Sequence, residues 1–543
     1  MKEHGPSDPR ATAGLASAQP ELDLKFARYG DAGIFIDLGL PPSARRTETT
    51  LRVQRTLLQA FPEADVVSGV GVVCLFALPK HLEFQELEAV LAHLLEDTEV
   101  PRHHKLPIVY DGPDLLPCAE ALGLDAQELV ALHAAARYEV ELLGFLPGFA
   151  YLGPLPARLV LPRRVSPRSR VPAGSLAMAA HYTAIYPFSS PGGWHLLGRS
   201  LGPAGFDPRR SEPFLFRPGD RVQFEPVSEG NAPRASGRVL DIRLSLAQRE
   251  MPWLLIESTP PLTTLQDCGR PHCLGQGLPE SGPLDPESFQ ESARAVHNSI
   301  TMAALEIAGG VLRFRAMGRP WLGLESGPFR PEEGETIEID ARVRPRYLSI
   351  EGGFEGSAVL GSRSTHFVAG FGGHEGRALR ARDILTPAPA SLTRPSLNES
   401  SIEFAEAHPA YRTRTSCDPE IADAPRTLTL RLSPGPHLGL FSARALETLL
   451  GSEYRVAKER DRTGVRLEGP ALDRVEFDEA APIPMIRGSI QVPKSGQPII
   501  LGPDHPITGG YPVVAVLGSE SFGTLARATP LDALRFEMRS ESK

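Results

Sequence analysis

Two well-separated stretches of this chain carry the same elements in the same order, and that repetition constrains the fold more than any other feature. Gly174-Ser175-Leu176 precedes the pair Gly192-Gly193 and Trp194, and Gly488-Ser489-Ile490 precedes Gly509-Gly510 and Tyr511 at nearly equal spacing. Each copy then closes on an aspartate that opens a segment ending in Phe: PGDRVQF, with Asp220 and Phe224, and PLDALRF, with Asp532 and Phe536. Repeated order of this kind indicates a duplicated β domain. Paired glycines lack Cβ, permit positive φ and let backbone amides approach a ligand, with the adjacent aromatic as one wall. A tight turn with a core aromatic behind it accounts equally well for either copy alone.

Around these copies the chain divides by texture. Residues 1–20 read as a disordered leader rich in Pro, Ala and Ser. KFARYGDAGIFIDLG and ADVVSGVGVVCLFALP read as strands and LEFQELEAVLAHLLED as a helix, giving a small α/β domain over 21–105. In the next segment Asp125 and Glu128 form a D-x-x-E capping box. Short Val/Ile/Leu/Tyr runs punctuated by Pro and Gly then predict an all-β barrel or sandwich over 106–227. Residues 228–237 form a linker, and 238–386 a further β-rich domain opening with RVLDIRLSL. Asp285 as N-cap with Pro286 after it marks the one good helix there. A Pro/Ser/Thr-rich connecting segment over 387–426 leads to the second β module, 427–543.

Composition excludes several classes. A chain of 543 residues can hold about three or four domains. A net charge of −9 with arginines spread along the chain disfavours a nucleic-acid surface. No run of about 18 apolar residues is present to span a membrane, and the amino terminus lacks an apolar signal region, so a cytoplasmic protein is expected. The five cysteines, Cys74, Cys118, Cys268, Cys273 and Cys417, show neither disulfide nor zinc spacing, and Cys268, His272 and Cys273 resemble a metal-ligand set only superficially; no metal site is expected. G-x-x-x-x-G-K-[ST], protein-kinase and H-E-x-x-H motifs are absent.

YDGPDL, GFLPGFAYLG, PRRVSPRSRVPAGSLAMA and IYPFSSPGGWHLLGRS resemble the B subunit of bacterial 5-oxoprolinase, the allophanate hydrolase subunit 1 family. LTTLQDCGR, SGPLD, LGSRST, GGHEGRAL, DRTGVRLEG, GSIQVPKSGQPIILGPD and TGGYP resemble the C subunit, the allophanate hydrolase subunit 2 family. The matches span about residues 22 to 538, as in a B–C fusion. The resemblance implies a mainly β protein with α+β portions: two cyclophilin-like barrels, each with an accessory domain. It implies ATP-dependent hydrolysis of 5-oxo-L-proline to L-glutamate, with ATP as its magnesium complex and a LamB/YcsF-type protein, the A component of that enzyme, as partner. Homo-oligomerisation is compatible with it. Two alternatives share the resemblance: a biotin-dependent urea or amide carboxyltransferase, against which the missing AMKM-type biotin acceptor counts, and a Kip-type regulator of a sensor histidine kinase. Departures from the family pattern fall at Thr463, Pro506, Ile507 and at Arg382, where glycine is usual.

Opening a lactam with ATP needs cations for phosphate charge, a carboxylate recogniser and a base. Arg168 and Arg199 flank the first glycine pair and suit an anion clamp, or a structural pair with a barrel carboxylate. Histidine ordinarily titrates near neutrality, which makes His195 the candidate base, unless it is simply a strand residue. Asp504 completes the candidate catalytic set, with a turn role as its rival. Candidate substrate-binding residues are Tyr151, Arg168, Ser175, Gly192 and Gly193 in the first copy. Gln491, Gln497, Gly509, Gly510 and Tyr511 are those of the second.

Overall fold

The computed structural model describes residues 22–539 except 32, 42–43, 79–81, 96–99, 229–251, 390–424 and 475–481. The expected leader, nearly all of the 228–237 linker, RVLDIRLSL, most of the 387–426 segment and Cys417 lie outside the described residues.

The N-terminal unit is a four-stranded sheet with two helices. Its elements are β1 (Lys25–Arg28), β2 (Ile34–Asp37), α1 (Ala44–Ala60), β3 (Asp65–Ser68), β4 (Val72–Phe76) and α2 (Phe84–Leu91), with strand order β1-β2-β4-β3. Strand alternation sends Ile34, Ile36, Val73 and Leu75 towards the helices, where they pack with Leu57 and Leu87. Phe35, Val67, Val72, Cys74 and Phe76 face the other way and pack on Ile483, Met485, Ile507, Val513 and Val516 from the far end of the chain. The N-terminal unit is thereby bound to the C-terminal module across an apolar interface.

The first barrel comprises β5 (His103–Val109), α3 (Leu115–Leu122), α4 (Ala126–Ala135), β6 (Tyr138–Leu143), β7 (Ala150–Gly153), β8 (Arg168–Val171), β9 (Ser175–Ala179), β10 (Tyr182–Ile185), β11 (Ser190–Gly192), β12 (His195–Ser200) and β13 (Arg221–Pro226). Seven strands close in the order β10-β7-β6-β13-β5-β12-β9, while β8 and β11 pair apart as a two-stranded flap. The Asp125 side chain caps α4 by accepting the Glu128 N–H at 2.7 Å.

A two-sheet sandwich follows. One sheet, in order β20-β17-β14-β22, contains β14 (Trp253–Ser258), β17 (Gly310–Met317), β20 (Thr336–Ala341) and β22 (Ile384–Leu385). The other, β15-β16-β21-β18-β19, contains β15 (Thr264–Gln266), β16 (Ala304–Ile307), β18 (Leu322–Leu324), β19 (Gly327–Phe329) and β21 (Arg346–Ile350). Leu254, Phe314 and Ile339 of the first meet Leu305, Leu322 and Leu348 of the second in one core. Helix α5 (Pro286–Ala295) starts at the predicted Asp285 cap.

The last module repeats the first barrel's chain path. It contains β23 (Thr427–Pro434), α6 (Ala443–Gly451), β24 (Arg455–Arg460), β25 (Gly464–Glu468), β26 (Ile483–Pro484), β27 (Ser489–Gln491), β28 (Ile499–Leu501), β29 (Thr508–Gly509), β30 (Val513–Leu517) and β31 (Ala533–Met538). Its sheet runs β24-β25-β28-β27-β30-β23-β31 and curls until Tyr454 and Leu534 exchange backbone hydrogen bonds at 2.9 and 2.7 Å. The last strand pairs in parallel with the first in both modules, β13 with β5 and β31 with β23. The glycine pairs lie on matching parts: Gly192 on β11, paired with β8, and Gly509 on β29, paired with β26. The fold is therefore mainly β, with two related barrel modules and an accessory domain beside each.

Candidate functional site on the first barrel

Alternation along the barrel strands makes two cores. Leu152, Leu176, Met178, Leu197 and Phe224 fill the inside, while Tyr151, Ala177, Ala179, Ala184 and Leu196 point outward. The small alanines leave a trough on which Phe149, Tyr151, Tyr186 and Trp194 pack edge to face, with Phe149 to Tyr151 at 5.0 Å and Phe149 to Trp194 at 5.6 Å between centroids. The β8–β11 flap lies over this trough. Gly192 makes that closure fit: a Cβ there would collide with the Tyr186 hydroxyl and lie 3.0 Å from its ring carbons. Gly509 meets Met485 in the same way, with Sδ 2.9 Å from the position of a Cβ. At Gly193 the nearest atom to a Cβ would be 3.8 Å away.

Arginines line the flap side. Asp114 Oδ1 accepts Arg168 Nη2 at 2.8 Å and Arg164 Nη1 at 3.1 Å, and Oδ2 accepts the Leu196 N–H at 2.7 Å. Burial alone would raise the Asp114 carboxyl, but the Arg168 hydrogen bond, the Leu196 N–H and the charges of Arg168 and Arg164 outweigh it and hold it low. Arg199 Nε pairs with Asp111 Oδ2 at 2.8 Å on the half-exposed neighbouring surface. His195 Nε2 lies 2.9 Å from the Pro162 carbonyl. That carbonyl can only accept, so Nε2 carries a proton. Ser175 is buried, and its carbonyl accepts the Tyr186 N–H at 2.9 Å.

The trough also meets the other units. Val70, from the turn between β3 and β4, packs into it, and Thr508 of the second barrel sits beside the Tyr151 hydroxyl. Next to Val70, Arg46, Thr47, Thr50 and Glu141 line a small open cleft. Tyr182 donates its hydroxyl proton to Glu141 Oε2 at 2.9 Å. Burial raises the Glu141 carboxyl, and the Tyr182 bond with the Arg46 and His181 charges only partly counters it.

The second-half candidates have different surroundings. Asp504 is buried and bound to Arg462, Oδ2 to Nε at 2.8 Å. Arg462 also reaches Glu306 Oε1 at 2.6 Å and the Gly282 carbonyl at 2.7 Å, while Glu306 Oε2 accepts the Tyr347 hydroxyl at 2.7 Å. Burial works against the Asp504 charge, but Arg462 overrides it and keeps the carboxyl low. His366 and His505 beside this network are pushed down to about 4 by burial. Gln491 Oε1 would lie 3.9 Å from a Cβ at Gly509, and Tyr511 is exposed next to Gly510. Gln497 instead clasps the Gly469 carbonyl at 3.1 Å.

The structure thus groups Tyr151, Arg168, Gly192 and Gly193 around one trough, with Ser175 bonded beneath it. It sets Arg199 beside them on Asp111, and places Asp504, Gln491, Gly509 and Tyr511 in the second module. Sequence reasoning passed over Asp114, Arg164, Tyr186, Glu141, Glu306 and Arg462. Arg164 and Asp114 stand inside the quoted PRRVSPRSR and YDGPDL motifs, and Arg462 inside DRTGVRL. Among the described residues no group of three or more His, Cys, Asp or Glu side chains is arranged to hold a metal, and no helix is long and apolar enough to cross a membrane. The four described cysteines are free thiols.

Comparison with known proteins gives this arrangement a family. The model for carboxyltransferase domain, subdomain C and D, matches residues 24–216, and that for subdomain A and B matches 327–538. The chain is 36% identical over 209 residues to the 5-oxoprolinase B subunit of Escherichia coli O157:H7, covering 37% of this chain and 95% of the relative. It is 27% identical over 272 residues to the 5-oxoprolinase C subunit of Escherichia coli strain K12, covering 47% and 81%. The crystal structure of TTHA0988 superposes with a TM-score of 0.75 at 33% identity, covering 93% of this chain and 99% of that one. Fold and site together define a protein built of carboxyltransferase-type domains. Within that class, the chain belongs to the family of the 5-oxoprolinase B and C subunits, with both joined in one polypeptide.

Proposed function

We propose that this chain is the fused B and C component of an ATP-dependent 5-oxoprolinase, converting 5-oxo-L-proline to L-glutamate with a LamB/YcsF-type protein as the A component. The observation that carries the reading is that relatives named as the B and C subunits of 5-oxoprolinase align to successive parts of a single chain. The apolar interface between the N-terminal unit and the last module supports it, because it binds the B-like and C-like halves to each other. ATP supplies the phosphoryl group that activates the lactam oxygen. Arg168 is the cation for the anionic substrate or its phosphate, and its donors fit oxygen acceptors. His195, through Nδ1, is the proton acceptor for the attacking water. Such groups act only when assembled, which accounts for a site divided among components.

The test is to measure phosphate release and glutamate formation by the chain, the partner and the mixture, with and without 5-oxo-L-proline. Turnover in the mixture alone supports the reading. The carboxyltransferase description of both matched family models favours one second reading, an amide carboxyltransferase. Transfer of a carboxyl group from added carboxybiotin to an amide, with biotin released and no glutamate formed, would select it.

A further inference from the structure

At the rim of the first barrel, hydrogen-bond donors outnumber acceptors. Asp114 is the carboxylate bonded by both Arg164 and Arg168, and its two oxygens already take those arginines and the Leu196 N–H. Arg164 Nε and Arg168 Nη1 are nevertheless buried donors with no acceptor among the described residues. Arg163 adds a third positive charge, felt at the hydroxyls of both Tyr151 and Tyr186. The Tyr186 hydroxyl oxygen accepts the Trp194 N–H beside them. The arginine loop is held against the glycine pair, with Arg164 N–H donating to the Gly193 carbonyl at 2.9 Å and Arg168 opposite Gly192 in the β8–β11 ladder. The Arg164 and Arg168 side chains are 33% and 24% exposed, so the group is open to solvent.

Buried N–H groups without acceptors are rare in native proteins, and a surplus of guanidinium donors is matched by a ligand that only accepts. We propose that Arg163, Arg164 and Arg168 form an oxyanion-binding site at the glycine-pair flap. This deepens the function proposed above and rests on it only for the source of the anion: the phosphoryl group of the nucleotide, or the carboxylate of the lactam. Asp114 holds the arginines in place, and the flap sets their distance from the trough.

The test is calorimetric titration of the full chain in low-salt buffer with inorganic phosphate, then with 5-oxo-L-proline, without any partner. The expected result is saturable phosphate binding that weakens at least tenfold in Arg164→Gln and in Arg168→Gln. Arg209→Gln, whose arginine pairs with Asp207 elsewhere, should bind as the original does. Arg168→Lys keeps the charge and serves if the glutamine variants fail to fold; it should still weaken binding, because the fork geometry is lost. Competition by 5-oxo-L-proline would assign the site to the carboxylate, and its absence to the phosphoryl group; both support the proposal. No saturable binding of either anion, or binding unchanged in the variants, would overturn it. Because no turnover is measured, loss of the site and failure of the 5-oxoprolinase reading give different results.

Discussion

Arg426 grips Asp532 just before the first strand of the second module: its backbone N–H donates to Oδ1 at 3.0 Å, Nε to Oδ1 at 3.1 Å and Nη2 to Oδ2 at 2.9 Å. Arg102 holds Asp220 in the same way in the first barrel, through its own N–H, Nε and Nη2. Each clasp locks the first strand to the last, where they pair in parallel. Burial would raise the Asp532 carboxyl, but Arg426, the Thr529 N–H and the Arg426 N–H together hold it far below its ordinary value of 3.8. A carboxyl depressed in the folded state stabilises above its unfolded pKa and loses that contribution as pH falls further. Asp532→Asn is therefore expected to cost roughly 1–3 kcal/mol at neutral pH, by removing the buried carboxylate charge that Arg426 and Thr529 bond, and to flatten the acid limb. Urea unfolding at pH 7 and between pH 5 and 3 checks both.

Gly192 and Gly193 are predicted to differ. Gly192→Ala drives a methyl group into the ring of Tyr186, which is 1% exposed and has no room to retreat. A loss of about 1–3 kcal/mol is expected. Gly193→Ala meets nothing closer than 3.8 Å and should stay within about 0.5 kcal/mol. Thermal melts of the two variants decide it.

Arg382 occupies a turn at φ +75°, a left-handed conformation that costs a residue with a Cβ about 1–2 kcal/mol. Arg382→Gly should leave the fold intact and raise stability by up to about 1 kcal/mol, measured by denaturant midpoint.

Glu280 predicts the opposite pH trend from Asp532. Burial and the nearby Asp65 push its carboxyl up to about 8, against a partial offset from Arg487. The folded chain then binds this proton more tightly than the unfolded chain, so stability falls as pH rises from about 4.5 to about 8. Glu280→Gln should be the more stable form at pH 8 to 9 and show a shallower slope in a melting series.

The duplicated element and the caps were legible because they are local: spacing shows the repeat, and Asp125 and Asp285 stand three residues from the N–H groups they bind. Helix α1 was not, because its buried face includes Thr49, Thr50, Gln54 and Thr56, which blur an apolar period. Two of these threonines are satisfied within the helix, Thr50 by the Arg46 carbonyl and Thr56 by the Arg52 carbonyl, each at 2.8 Å. At the site, Arg168 was visible as a cation beside the glycines, but its carboxylate lies 54 positions away at Asp114. Arg462 reaches Glu306 over 156 positions. Only the fold brings such partners together, so residue type and spacing identified the motifs without the pairs inside them.

The most direct test of the proposed activity is the stoichiometry of the reconstituted reaction. The chain, mixed with a LamB/YcsF-type partner and given ATP and 5-oxo-L-proline, should release one phosphate per glutamate formed. In the same mixture Arg168→Gln should lose about 100-fold or more in kcat/KM, in line with loss of a charge-stabilising donor, while still melting cooperatively. Undiminished turnover by Arg168→Gln, or full turnover by the chain without its partner, would contradict the proposal.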